Sequence, residues 1–140
     1  GTDDRALRQA HRLAAAGLEG AEESFGRELA RFAEVAPRSV AFSADAEALA
    51  VASSAVALGP AVRVHAQGAL PWAQGAVAAM ERGGRQDLMV IEALFARGQL
   101  RLLCGESAGQ ADFARAERLA SRLGAGWLTE RLRQACARIT

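Results

Sequence analysis

The sequence predicts an all-α protein, folded as a stack of antiparallel helical hairpins with about seven to eight helices. Alanine makes up about a quarter of the 140 residues, and it has the highest helix propensity of all amino acids. Apolar residues recur at spacings of three and four, the period of a helix with one buried face. Glycine or proline interrupts this pattern at regular intervals, which indicates turns between short helices. We expect residues 1–140 to form a single domain.

Three helices are predicted in the first part of the chain. Gly17 and Gly20 bracket the turn between the first two. Glu22 and Glu23 suit the start of the second helix because negative side chains stabilise the positive end of the helix dipole. Ser43 can cap the third helix, since its hydroxyl can accept a hydrogen bond from a free backbone amide. The predicted ranges are 3–17, 21–36 and 43–58.

The middle of the chain is predicted to break at Pro71. Proline in a helix interior lacks an amide hydrogen and clashes with the preceding turn, whereas it fits the first turn of a helix. We therefore predict a short helix over 61–69 and a separate helix over 71–82. Two short segments, 40–42 and 62–64, are strand-like, but neither has a pairing partner, so no sheet is expected.

Regular apolar spacing predicts three further helices toward the C-terminus. The best defined of them carries Leu88, Ile91 and Phe95 on one stripe, and Gly105 can supply the left-handed residue that ends it. Gly124 and Gly126 mark the last turn. The predicted ranges are 86–104, 110–123 and 127–139.

Composition argues against several classes of function. All 17 basic residues are Arg, they are interspersed with 16 acidic residues, and the net charge is only +1, so no patch for direct nucleic-acid binding is expected. No apolar run reaches the roughly 18–20 residues that a membrane span requires. Cys104 and Cys136 are too far apart for a metal or redox motif. We expect a cytoplasmic protein that uses no metal or cofactor and contacts no membrane.

The C-terminal part of the chain carries a helical-hairpin motif. Segment 92–105 contains Gly98 and Gly105, seven residues apart, and segment 111–125 follows it as a second helix. Together with segment 123–131, this motif resembles a divergent tetratricopeptide (TPR) hairpin of large LuxR-type and maltose-regulator-type bacterial transcription activators. Predicted hairpins recur about every 42 residues, and such repeats bury their apolar faces by stacking on their neighbours.

The resemblance implies a right-handed superhelix with a concave groove lined by the first helix of each hairpin. These helices would be the ones near 3–17, 43–58 and 86–104. Grooves of this family bind peptides, partner domains or a small inducer, and no catalytic role accompanies the fold. We therefore expect a non-catalytic interaction or effector-sensing module of a bacterial regulatory protein. The opening Gly1-Thr2 fits a segment of a larger regulator.

Polar side chains on these three helices are the candidate residues for binding a protein partner, a peptide or a small-molecule effector. Arginine suits this role because its planar guanidinium group can pair with carboxylates and still stack on apolar groups. The candidates are His11, Arg12, Arg97, Gln99 and Arg101.

His65 and Trp72 define a second candidate site near the predicted break. An imidazole, an indole and the Gln67 amide that converge there would form a small-ligand pocket, since such pockets combine apolar walls with a few polar groups. In the alternative interpretation, Trp72 fills the core beside Pro71 and His65 points to water.

Two other functions stay open at this point. His11, with Arg12 and Gly17 nearby, is similar to the phospho-accepting helix of histidine phosphotransfer domains, although the lysine usual in that helix is absent. Trp127 would be half exposed at one end of the stack, and exposed apolar area there favours a homodimer. No catalytic residues are predicted, because the few His and Cys residues are scattered over different helices.

Overall fold

The computed structural model describes residues 4–40 and 43–139, which form seven helices and no strand. The all-α prediction is confirmed. The helices are α1 (Arg5–Glu19), α2 (Glu22–Val35), α3 (Ser43–Ala57), α4 (Val62–Arg82), α5 (Leu88–Leu103), α6 (Gly109–Leu123) and α7 (Gly126–Ile139). None of these helices is both long and apolar enough to cross a membrane.

Most helix ends lie where the sequence predicts them, and local chemistry explains the best defined ones. The carboxylate of Asp87 accepts hydrogen bonds from the backbone amides of Met89 and Val90, which caps the start of α5. Gly105 follows α5 with φ of 83°, and Gly124 ends α6 with φ of 66°. Both conformations are left-handed, and glycine adopts them without a steric penalty.

The predicted break at Pro71 is wrong, because α4 is one helix of 21 residues with Pro71 inside it. A proline here removes the hydrogen bond that the carbonyl of Gln67 would accept. Gln67, Gly68 and Pro71 are all exposed, so water can take the place of the missing donor. The opposite face of α4 is buried on both sides of the proline, and this packing holds the helix together. The strand-like residues 62–64 form its first turn, whereas residues 41 and 42 lie outside the described part of the chain.

Consecutive helices pack as hairpins, and the hairpins lie side by side. Helices α1 and α2, α3 and α4, and α5 and α6 are each in contact, and α7 packs on α5 and α6. The odd-numbered helices also form a row, since α1 contacts α3, α3 contacts α5 and α5 contacts α7. Helix α4 contacts both α3 and α5, so it joins two hairpins.

Small residues make up much of the core between α3 and α4, where Ala52, Ala73 and Ala76 are fully buried. Alanine has no side chain beyond Cβ, so these helix backbones can lie close together. The two largest fully buried side chains, Phe25 and Phe32, come from α2. Both rings contact aromatic side chains of α4, so α2 covers one side of that helix.

Candidate interaction groove

A groove of about 390 Å³ crosses the row of odd-numbered helices. Four helices that are far apart in sequence, α1, α3, α5 and α7, contribute to it. The groove is lined by His11, Ala14, Gly17, Leu18, Val51, Ser54, Ala55, Leu58, Met89, Glu92 and Arg131.

The helical period explains why these side chains share one surface. His11, Ala14 and Leu18 are three and four residues apart on α1, so they lie on one face of that helix. The lining residues of α3 and α5 follow the same spacing. Gly17 keeps the floor of the groove close to α2, because a methyl group at this position would lie 3.3 Å from Cε2 of Phe25.

Charge in the groove is concentrated at Glu92 and Arg131. Burial raises the pKa of the Glu92 carboxyl above its ordinary value of 4.5, and the positive charge of Arg131 acts in the opposite direction. Within residues 4–40 and 43–139, neither side chain forms a hydrogen bond or an ion pair with another residue. The groove therefore holds a half-buried carboxylate without a direct partner among the described residues, surrounded mainly by apolar side chains.

Of the predicted groove residues, His11 alone lines the groove. It is exposed, as is Arg12, which lies next to it in sequence but outside the groove lining. An accessible imidazole is also what a phosphotransfer helix needs, and that function of His11 stays a prediction.

Arg97 and Arg101 are placed inside the α5–α6 hairpin instead. Arg97 forms a two-point ion pair with the buried carboxylate of Asp112, at 2.7 Å (Nη2 to Oδ1) and 3.1 Å (Nε to Oδ2). Arg101 donates to the same carboxylate at 3.1 Å. These arginines therefore join α5 to α6, and neither lines the groove.

Gln99 is buried and lines a different cavity, of about 390 Å³, which lies between α5, α6 and α7. Its amide nitrogen is shielded from solvent and has no hydrogen-bond partner in the part of the chain that the structure describes. Phe95 and Phe113 form one wall of this cavity, with ring centroids 4.8 Å apart.

The second candidate site does not assemble as a pocket. The His65 ring lies 6.1 Å from that of Phe25, and the Trp72 ring contacts Phe32 edge-on at 4.9 Å. Both side chains therefore face α2. Gln67 points elsewhere, into an open cleft of about 510 Å³ beside α5. Because α4 is continuous, residues two positions apart face nearly opposite directions, and His65 and Gln67 cannot converge.

Glu92, Met89 and Arg131 are among the groove residues that sequence reasoning missed. Glu92 carried a usable signal, because it is a charged residue between Ile91 and Ala93 on a largely apolar predicted helix. Arg131 carried none, since only the docking of α7 against α5 brings it to the groove.

The described residues contain no group of three or more His, Cys, Asp or Glu side chains that could hold a metal ion. Burial raises the pKa of the Cys136 thiol to about 11, so this cysteine is protonated at neutral pH.

Comparisons of the chain with protein-family models, with curated proteins and with solved structures give no match.

Proposed function

We propose that this chain is a non-catalytic, TPR-like interaction module whose groove binds a segment of a partner protein. The observation that carries this proposal is the convergence of α1, α3, α5 and α7 on one accessible groove. In a right-handed stack of hairpins, the first helix of each hairpin lines the concave side. The row formed by the odd-numbered helices fits that arrangement.

The chemistry of the groove supports binding more than catalysis. Apolar side chains such as Val51, Leu58 and Met89 provide most of its surface, and a few polar groups interrupt them. Binding sites for peptides and small molecules combine these two features. Leu18 stands at the groove with 92% of its surface exposed, where a partner side chain could cover it.

The resemblance of segment 92–105 to TPR hairpins indicates the kind of protein to which this module would belong. By that resemblance, it would belong to a cytoplasmic bacterial regulator of transcription or signalling. A small effector bound in the same groove is the second candidate, because about 390 Å³ lies within the usual range of small-ligand sites, roughly 300–1,000 Å³.

Selection from a displayed library of random peptides tests the proposal. Peptides are selected on the wild-type chain and then measured against two groove variants, Ala14→Trp and Leu18→Asp. The first fills the groove, and the second places a charge on an exposed side chain, so it should not disturb packing. Ala30→Trp is the matched control, because Ala30 is exposed on α2, away from the groove.

We expect selected peptides to bind the wild type and Ala30→Trp alike and to lose roughly tenfold or more in affinity for both groove variants, a loss of about 1.4 kcal/mol or more. Circular dichroism and thermal melting establish that each variant is folded. A library that yields no groove-dependent peptide would overturn the proposal.

A further inference from the structure

Glu92 is the charged group of the groove that is withdrawn from water without a direct counter-charge among the described residues. Its side chain is half buried, yet it forms no hydrogen bond or ion pair within the described ranges 4–40 and 43–139. A carboxylate that is withdrawn from water without a partner is costly, and proteins usually pair such groups. A ligand that brought a positive charge to this position would remove that cost.

Arg131 does not fill this role. It is exposed on α7 and forms no ion pair with a described residue, although its charge reaches Glu92 through space. Its neighbour Arg133, two positions on, pairs with both Glu117 and Glu130. An arginine of α7 can therefore form ion pairs in this fold, whereas Glu92 has no ion pair with any residue that the structure describes.

The surroundings of Glu92 specify the rest of the ligand. Met89 lies one turn before it on α5, Val51 and Ala55 line the groove from α3, and Leu58 lines it directly after that helix. A long basic side chain suits such walls, because its methylene stem packs on apolar groups while its charged end reaches the carboxylate. Apolar residues on either side of that cation would cover the remaining surface.

We propose that the segment bound in the groove carries a lysine or arginine between apolar residues, and that this cation pairs with Glu92. The inference rests on the proposed function, since it assigns the chemistry of the partner to the same groove. An acidic segment is the opposite possibility, because His11 and Arg131 could attract it. Those two groups are exposed and hydrated, however, so they gain less from a partner than Glu92 does.

The test uses the groove-dependent peptides from the displayed library. We expect them to share a lysine or arginine with apolar neighbours. Glu92→Gln should weaken their binding by roughly tenfold or more, and replacing the peptide's basic residue by glutamine should weaken binding to the wild type equally. The two changes together should cost little more than either alone, because both remove one ion pair. Glu34→Gln, at an exposed position on α2, should leave affinity unchanged.

The outcomes separate the two proposals. Groove-dependent peptides that are acidic or uncharged, or whose affinity is insensitive to Glu92→Gln, would overturn the cationic partner and leave the groove as the binding site. A library without groove-dependent peptides would overturn both. Additive losses in the double-mutant cycle would also contradict a direct pair between the ligand cation and Glu92.

Discussion

Gly98 of α5 and Gly109 of α6 lie in direct backbone contact, which fixes the closest approach between these two helices. A methyl group at position 98 would lie 2.9 Å from the carbonyl oxygen of Gly109 and 2.8 Å from Cε1 of Phe113. A methyl group at position 109 would overlap the carbonyl oxygen of Gly98. Only glycine at both positions allows α5 and α6 to pack at this distance.

Gly98→Ala is therefore expected to destabilise the protein by about 1–3 kcal/mol, as other overpacking substitutions do. The clash is partly with backbone atoms, which cannot rotate away. Gly26→Ala is the matched control, because Gly26 is helical and a methyl group there would meet nothing within 4 Å. This control should gain about 0.5–1 kcal/mol from better helix propensity. Urea unfolding of both variants checks the difference in sign, and equal stabilities would contradict the close approach.

Asp112→Asn is expected to cost about 3 kcal/mol, measured by urea unfolding. The buried carboxylate pairs with Arg97 and Arg101. Its loss leaves Arg97 without a counter-charge among the described residues and leaves Arg101 only the more distant Glu106, at 3.9 Å. Glu81→Gln removes the exposed partner of Arg115 and serves as the control, with an expected cost below about 1 kcal/mol. A loss at Asp112 as small as the control's would show that this ion pair does not hold the hairpin together.

Pro71→Ala should stabilise the protein by about 1–3 kcal/mol. Alanine restores the amide hydrogen that α4 lacks at this position. A proline in a helix interior costs about 3 kcal/mol of stability, but its rigidity also lowers the entropy of the unfolded chain, which offsets part of that cost. Gln74→Ala, also exposed on α4, should change stability by less than about 0.5 kcal/mol. A destabilised Pro71→Ala variant in thermal melting would argue for a real break at this position.

Glu92 is expected to make stability depend on pH. Its pKa is raised in the folded protein, so the folded state binds a proton more readily than the unfolded state does. The stabilising contribution of Glu92 is therefore full below its ordinary pKa of 4.5, and it is lost as the pH rises through the higher pKa of the folded state. Glu92→Gln should match the wild type at low pH and exceed its stability near neutral pH. Urea unfolding across this pH range checks the sign, and a variant less stable at neutral pH would contradict it.

Cys136 should react slowly with thiol reagents. Its pKa of about 11 leaves roughly 0.1% thiolate near pH 8, which is about a hundredfold less than an unperturbed cysteine has. In a Cys104→Ser background, we expect Ellman's reagent to label the folded protein slowly and the urea-unfolded protein at once. Fast labelling of the folded protein would show that Cys136 is more accessible than its burial indicates.

The helices could be predicted from sequence because their apolar period and their glycine turns are local signals. The continuity of α4 could not, since it depends on whether the turn before Pro71 faces water. The position of the Arg97 side chain could not be predicted from sequence either, because its acceptor Asp112 lies 15 residues away in the next helix. Of the two polar residues predicted on α1, His11 lines the groove and Arg12 does not, and the sequence pattern did not distinguish them. The position of Arg131 depends on the docking of α7.

Chemical-shift mapping with the tightest selected peptide tests the central claim most directly. The claim is that the row of odd-numbered helices forms the binding surface. In a titration of the ¹⁵N-labelled protein, we predict that amide shifts concentrate around His11, Val51, Met89 and Glu92, with α2 little affected. Shifts that concentrate on α2 or on the outer face of α6 would contradict the account, because the groove would then not be where the partner binds.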